Sequence, residues 1–278
     1  MTPLNPIILT VAPNGAYKTH ADHPQIPLTA EALAHTARDC LDAGAAMIHL
    51  HVRDSLGLHL LDATAYQAAI TAIRRQVGQE MVVQITSEAA KRYQAPEQMA
   101  VVRAVHPEAV SLALKELMPD AASETSAAAF FSWLGLERIM VQVILYSAEE
   151  LQRYQSLCAR GVLNGEHHFL LFVLGRYSAG QQSVPNDLTP FLQVKTCANP
   201  WALCAFGPQE SACILAATEQ GGHARVGFEN NLYLPNGGLA QSNAQLVALV
   251  AQGSRQCGRP LASANDIRTL FHADYIPS

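Results

Sequence analysis

What the 278-residue chain lacks narrows its reading first. It has no basic excess: 18 Lys and Arg stand against 23 Asp and Glu, a formal net charge of −5. That balance gives no electrostatic footprint for nucleic acid or an anionic membrane. It has no long apolar run, because those around Val82 and Val141 fall far short of the ~20 residues of a membrane span. Residues 1–6 carry neither the basic opening nor the apolar stretch of a secretory signal. The six cysteines, Cys40, Cys158, Cys197, Cys204, Cys213 and Cys257, include no C-x-x-C pair. They read as reduced, mostly buried thiols of a cytoplasmic protein, not as a disulfide framework or a cysteine-built zinc site. Charged residues are 15% and aromatic ones 6%, yet 49% are apolar. Such a chain is too apolar for disorder and too varied for a fibre, and it can bury the core of one large domain or at most two small ones.

Also missing are a Gly/Ser/Pro-rich linker, a low-complexity segment and a dinucleotide-binding G-x-G-x-x-G: the first apolar run leads into Val11-Ala12-Pro13-Asn14-Gly15. What is present is an alternation, eight times over, of short β-branched runs and longer helical ones. Strands are predicted over 7–11, 47–52, 81–85, 109–112, 139–145, 169–174, 201–205 and 223–226. The first helix has Thr29 as its N-cap and Gly44 as its stop; others follow over 64–76, 96–105, 121–134, 148–159, 188–197, 209–218 and 239–252. One eighth of the chain is about 35 residues, the size of a strand, a crossover helix and two loops. The pattern predicts an α/β fold, a (β/α)8 TIM barrel as a single domain over 1–278, with a C-terminal helix over 264–271 capping or packing outside it.

The sharpest local feature is His49-Leu50-His51-Val52-Arg53. Strand residues two apart share a face, about 6.6 Å apart, so His49, His51 and Arg53 are expected to point into the barrel near its C-terminal mouth. Polar groups there are costly to bury unless they work. Two imidazoles at that spacing can hold one metal ion, zinc first, with octahedral Mn or Ni as substitutes. A third ligand should leave another strand end, and Glu229 follows the eighth strand, which neighbours the first, which neighbours the second. Two His and one carboxylate leave positions open for substrate. Arg225, four residues earlier, can aim a guanidinium at a carboxylate or oxyanion beside the metal. Thr86, Ser87 and Glu88 after the third strand and Lys115 and Glu116 after the fourth are further strand-end polar groups, although hydroxyls there are commonly caps, and Lys115 and Glu116 can pair with each other. His167, His168 and His223 sit at the barrel bottom as structural groups. His20, His23, His35, His59, His106 and His272 fall in loops or on helices and are expected to stay solvated.

Several runs occur in a recognisable order: Ile8-Leu9-Thr10, Gly15-Ala16, Pro27-Leu28-Thr29, the stretch 43–53, Pro107-Glu108, Phe172-Val173-Leu174-Gly175, the stretch 222–229, the stretch 242–247 and Gly258-Arg259-Pro260. Over essentially the whole chain they resemble the β-keto acid cleavage enzymes. The resemblance implies a (β/α)8 fold and one zinc per chain on His49, His51 and Glu229. It also implies condensation of a β-keto acid with acetyl-CoA, releasing acetoacetate and a new acyl-CoA, by a homo-oligomer, a homotetramer in family terms. Arg225 matches the family's active-site arginine, and Tyr17, Thr86, Ser87 and Glu116 fall at substrate-binding positions. The departures are specific. Asn230 occupies a catalytic position where the family has Asp, and an amide cannot accept a proton as a carboxylate does. Thr86-Ser87-Glu88 replaces Ser/Thr-Thr-Gly, and Lys115-Glu116 replaces Gly followed by Thr or Ser. Tyr17 and Ile144 stand where carboxylates would meet a substrate ammonium, so a keto acid with a neutral or acidic side chain is expected. Glu88 and Glu116 are the candidates to replace the missing carboxylate. Two other readings compete: a metal-dependent hydrolase of the amidohydrolase kind, which needs H-x-H on the first strand, and a non-catalytic metal- or acid-binding barrel, prompted by Asn230.

Overall fold

The eight strand runs close on themselves. The computed structural model describes residues 5–271. Its first half runs β1 (Leu9–Val11), α1 (Ala30–Ala43), β2 (Met47–Leu50), β3 (Val52–Arg53), β4 (His59–Leu60), α2 (Ala63–Val77), β5 (Val82–Thr86), α3 (Ala95–Val105), β6 (Ala109–Ala113), α4 (Leu114–Leu117) and α5 (Glu124–Leu136). The second half runs β7 (Met140–Leu145), α6 (Ala148–Ala159), β8 (Phe169–Leu174), α7 (Thr189–Val194), β9 (Trp201–Ala205), α8 (Glu210–Glu219), β10 (His223–Val226), α9 (Asn243–Gln256) and α10 (Ala264–Phe271). Eight parallel strands form a closed barrel in the order β1-β10-β9-β8-β7-β6-β5-β2. Among the described residues no helix is long and apolar enough to cross a membrane.

Local chemistry sets the elements as read. Thr29 caps α1 by accepting from the Ala32 amide, and Gly44, at φ 114°, ends it with its N–H on the Cys40 and Leu41 carbonyls. Strand parity then sorts the barrel wall. Ile48, Leu50, Val83 and Ile85 pack outward against the helices, while Met47 and Val82 pack inward with Ile8, Met140 and Phe169. Above that apolar floor His49 pairs in register with Gln84. The predicted C-terminal helix closes the floor: α10 brings Phe271 to 5.0 Å from the Phe169 ring and Arg268 Nε to 2.7 Å from Glu108 Oε1.

One stretch departs from the predicted pattern. The second strand does not continue to Val52; β2 stops at Leu50, and β3 pairs antiparallel with β4, Arg53 opposite His59. The turn between them is built by Asp54, whose Oδ1 accepts from the Leu56 and Leu58 amides, and by Gly57 at φ 76°. Arg53 therefore leaves the His49/His51 face. Its guanidinium donates to the Gly15, Lys18 and Gly57 carbonyls and pins the loop after β1. The sixth predicted helix, 188–197, is also shorter: a 3₁₀ turn over Pro185–Leu188 leads into α7.

Candidate active site

Two imidazoles and a carboxylate meet at the barrel's C-terminal mouth. His49 Nε2 and His51 Nε2 are 3.2 Å apart, and Glu229 Oε2 lies 3.6 and 3.5 Å from them. The backbone explains the convergence. His51 lies just past β2, and Asn14 in the loop after β1 clasps it, donating to the His51 carbonyl at 2.9 Å and accepting from its amide at 3.3 Å. Glu229 leaves β10 through Gly227, at φ 137°, where a Cβ would come within 2.5 Å of the Ala12 carbonyl oxygen. Its own amide donates to that same oxygen at 3.1 Å. Gly15 is needed as well, since a Cβ there would meet Glu229 Cγ at 2.5 Å.

The outer hydrogen bonds fix which ring nitrogens face inward. His49 Nδ1 lies 2.8 Å from Gln84 Oε1, an acceptor, so Nδ1 carries the proton and Nε2 a lone pair. His51 Nδ1 approaches His59 Nδ1 at 3.4 Å, and His59 Nε2 reaches the Glu88 carbonyl at 2.8 Å. With His59 donating to that carbonyl, His51 donates to His59 and keeps its own Nε2 lone pair for the site. Burial, then Arg225, hold the His49 imidazole well below its ordinary pKa. Burial alone would raise Glu229, but Arg225 and then His51 outweigh it and hold the carboxyl well below its usual range. His49 and Glu229 are thus in the form that ligates a cation, and the hydrogen bond to His59 leaves His51 Nε2 facing the same point.

Glu229 spends one oxygen on Arg225, while the other is buried without a hydrogen-bond partner and aimed at the two Nε2 atoms. Bonds of ~2.0–2.1 Å at tetrahedral angles place ligand atoms about 3.3–3.4 Å apart, and the three observed edges bracket that value. The donor set fits a divalent metal such as zinc. The same three residues are the one His/Cys/Asp/Glu group of this kind among the described residues.

The other predicted residues separate. Arg225 on β10 is buried beside Glu229. Asn230 is also buried: its Nδ2 points to Cys204 Sγ at 3.6 Å, and its Oδ1 has no partner. Thr86, Glu88 and Ile144 line an inner cavity with His49, Arg225, Glu229 and Arg176. Ser87 is fully buried behind that wall, its hydroxyl donating to the Ser111 carbonyl at 3.0 Å. Tyr17 and Glu116 line the wider outer mouth, together with Lys18, Lys91 and Arg176. The Glu116 carboxylate accepts from the Ala89 amide at 3.0 Å and Gln98 Nε2 at 2.8 Å, and burial raises its pKa.

Several expectations are corrected. Lys115 does not pair with Glu116; it lies over the Tyr146 and Tyr177 rings and 3.8 Å from Glu150. His59 and His23 are buried, not solvated. His59 is the outer partner of His51, and His23 Nε2 sits 2.9 Å from the Ala240 carbonyl against the Phe228 ring. His20, His35 and His106 are exposed as expected; His272 lies outside the described residues. At the bottom, His223 Nδ1 accepts from the Ile8 amide at 2.9 Å, and His168 Nδ1 lies 3.1 Å from the Tyr154 hydroxyl. Arg176 was not foreseen: it follows Gly175 at the end of β8 and reaches Glu88 at 3.3 Å. A charge at the C-terminal end of a barrel strand is the signal that marks it.

Charged and imidazole side chains gathered at the strand ends define a (β/α)8-barrel enzyme. Sequence comparison narrows the class: the chain belongs to the beta-keto acid cleavage enzyme family, whose profile matches residues 6–272. It is 26% identical over 272 residues to the 3-keto-5-aminohexanoate cleavage enzyme of Acetoanaerobium sticklandii, covering 95% of this chain and 97% of that one. It is 24% identical over 274 residues to a 3-oxoadipate:acetyl-CoA acetyltransferase of Cupriavidus necator, covering 96% of this chain and 94% of that one. Among solved structures, apo ObcA is similar at a TM-score of 0.72 and 16% identity; the match covers 90% of this chain and 66% of ObcA and shows the fold alone. The H-x-H pair lies at the second barrel strand in chain order, not the first as an amidohydrolase would have it.

Proposed function

We propose that this protein is a zinc-dependent acyltransferase that condenses a β-keto acid with acetyl-CoA and releases acetoacetate and a new acyl-CoA. The observation that carries the reading is the buried, unpartnered Glu229 oxygen facing two imidazole lone pairs, in a chain of this family. His49, His51 and Glu229 would hold the zinc, which supplies Lewis-acid stabilisation of a keto acid's developing enolate charge.

The chain's own residues do the rest. The reaction requires that a proton leave the carbon between the ketone and the carboxylate, and that this carbon bond to the acetyl carbonyl as CoA thiolate leaves. The thiolate then adds to the old ketone, the old carbon–carbon bond breaks to give the new acyl-CoA, and the proton returns to the acetoacetate carbon. Arg225 would hold the keto acid's carboxylate and stabilise charge that develops beside it, and its burial next to Glu229 supports that role. Asn230 can orient but cannot take the proton. Of the two substitute carboxylates, Glu88 lines the inner cavity, whereas Glu116 stands in the outer mouth. The Thr86 hydroxyl accepts from the Glu88 amide at 3.0 Å and so sets that loop, and Ser87 supports the same strand end.

Ala113, Ile144, Val173, Cys204 and Phe206 form an apolar wall in the inner cavity. That wall favours a keto acid with an uncharged side chain. Tyr17, Lys18, Lys91 and Arg176 at the outer mouth suit the phosphates of acetyl-CoA. Family likeness adds a cytoplasmic homo-oligomer, a homotetramer, to this reading. The test is a screen of β-keto acids with acetyl-CoA, reading acyl-CoA products by mass. Acetoacetate and a matching acyl-CoA are expected, and product formed equally well without acetyl-CoA would overturn the assignment in favour of a hydrolase.

A further inference from the structure

Two glutamates at the barrel mouth are arranged alike. Glu229 places Oε1 on Arg225 and Oε2 3.5 Å from His51 Nε2. Glu88 places Oε1 on Arg176, 3.3 Å from Nη2, and Oε2 4.0 Å from the same His51 Nε2. Both line the inner cavity with His49. The Glu88 backbone is fixed at both ends, its amide donating to Thr86 Oγ1 at 3.0 Å and its carbonyl accepting from His59 Nε2 at 2.8 Å. His59 in turn sits behind His51, so the loop that carries Glu88 is tied to one of the imidazoles it faces.

We propose that Glu88 is a fourth, displaceable protein ligand of the metal held by His49, His51 and Glu229, bound at rest and exchanged for the carboxylate of an incoming β-keto acid. The inference rests on the metal reading of that triad. Tetrahedral ligand edges are about 3.3–3.4 Å. Glu88 Oε2 is 4.0 Å from His51 Nε2 but does not lie within 4.8 Å of all three triad atoms, so binding requires its carboxylate to swing further into the cavity by side-chain rotation. Charge favours the arrangement. Two neutral imidazoles and one carboxylate leave a divalent ion with one uncompensated positive charge in a buried place, and Glu88 cancels it. A substrate carboxylate carries the same charge, so exchanging one for the other leaves the charge of the metal with its ligands unchanged. The displaced Glu88 is not stranded, because Arg176 already holds its second oxygen. Four protein ligands make a closed site and three an open one; a ligand that yields to substrate gives both states in turn. The carboxylate is this chain's own feature, since Glu88 falls where the family resemblance has Gly.

The test loads Co(II) in place of zinc and compares the wild type, Glu88→Gln, Glu88→Ala and His51→Ala by visible absorption, with zinc affinity measured by chelator competition. Circular dichroism checks that each variant is folded. Both Glu88 variants should bind zinc on the order of 10-fold or more weakly and show an altered cobalt spectrum. Acetoacetate added without acetyl-CoA should shift the wild-type spectrum, and the two Glu88 variants should shift less. A wild-type spectrum and affinity in folded Glu88→Gln or Glu88→Ala, with His51→Ala losing metal, would overturn the role of Glu88 while leaving the triad standing. Full metal retention by His51→Ala would overturn the metal reading and this proposal with it.

Discussion

The two ends of the barrel carry the same residue types and use them in opposite ways. At the floor, Glu108 has both oxygens engaged: Oε2 with Arg74 and the Val83 amide, Oε1 with Arg268. His223 there takes the Ile8 amide, and His168 meets the Tyr154 hydroxyl. At the mouth, Glu229 engages one oxygen and leaves the other buried and bare, and His49 and His51 turn their remaining lone pairs to the same point. A buried polar group that is fully partnered holds the fold together, whereas one left unpartnered costs stability and needs another reason to persist. The difference between the ends lies in satisfaction, not in composition.

That contrast can be broken most directly at His51. His51→Ala should lose most of the bound metal and, with it, nearly all turnover, because one of three converging ligand atoms is gone; elemental analysis of the purified variant checks this. An unchanged metal content would place the ion elsewhere. Arg225→Ala should come next, lowering kcat by about 10²–10³-fold, as loss of a preorganised charge partner does, with metal content retained. A fall in metal equal to the fall in rate would show that Arg225 serves Glu229 and not the substrate.

The floor should answer with stability alone. Glu108→Gln leaves Arg74 and Arg268 without their shared carboxylate, and a loss of about 1–3 kcal/mol is expected, read as a lower urea midpoint with unchanged kcat per folded molecule. The floor histidines add a pH signature. Burial pushes His223 to about 3 and His168 to about 4, below the ordinary ~6.5 of the unfolded chain. Between those values the unfolded state binds more protons, so their contribution makes stability fall as pH drops from about 6.5. Glu210 acts in the other direction: burial raises it to about 8, so its contribution makes stability fall as pH rises from about 4.5 to 8. The histidine effect is therefore read as a difference. His223→Gln, whose amide oxygen can still accept from Ile8, should lose less stability than wild type between pH 7 and 5, by up to about 2 kcal/mol. Identical slopes would mean that His223 does not titrate with folding.

How far the sequence foretold these two ends depends on the range of the forces involved. The barrel was legible because eight strand-to-helix alternations are local periodicities, and Glu229 followed from barrel order, since β10 neighbours β1 and β1 neighbours β2. His49 followed from strand parity. His51 reached its place for a different reason, the clasp of Asn14 from another loop, and Arg53 broke parity because the Asp54–Gly57 turn starts a hairpin. Adjacency in sequence suggests that Lys115 and Glu116 can pair, but neighbours on a helix diverge by about 100° and do not face each other. His23 and His59 lie in segments that look solvated locally, and only tertiary contacts bury them. Arg176 escaped notice for the same reason: no short-range pattern says whether a charged residue after a strand turns outward or in.

The smallest expected effect separates the two carboxylates left as substitutes for the family's Asp. Glu116 already has its oxygen committed to the Ala89 amide and Gln98 Nε2, and it lines the outer mouth. Its contacts hold the loop that begins with Glu88, so its part in the reaction is indirect. In Glu116→Gln an amide oxygen at the Oε2 position can still accept both hydrogen bonds, without the charge. The substitution should cost no more than about 1 kcal/mol of stability and lower the rate less than 10-fold, whereas removal of a proton-transferring group costs on the order of 10²-fold or more. Steady-state kinetics of Glu116→Gln beside Glu88→Gln reads the difference. A 10²-fold loss in Glu116→Gln with no change in Glu88→Gln would move the proton-transfer role from the inner cavity to the mouth. A small loss in Glu116→Gln beside a large one in Glu88→Gln would keep the chemistry where the unpartnered groups converge.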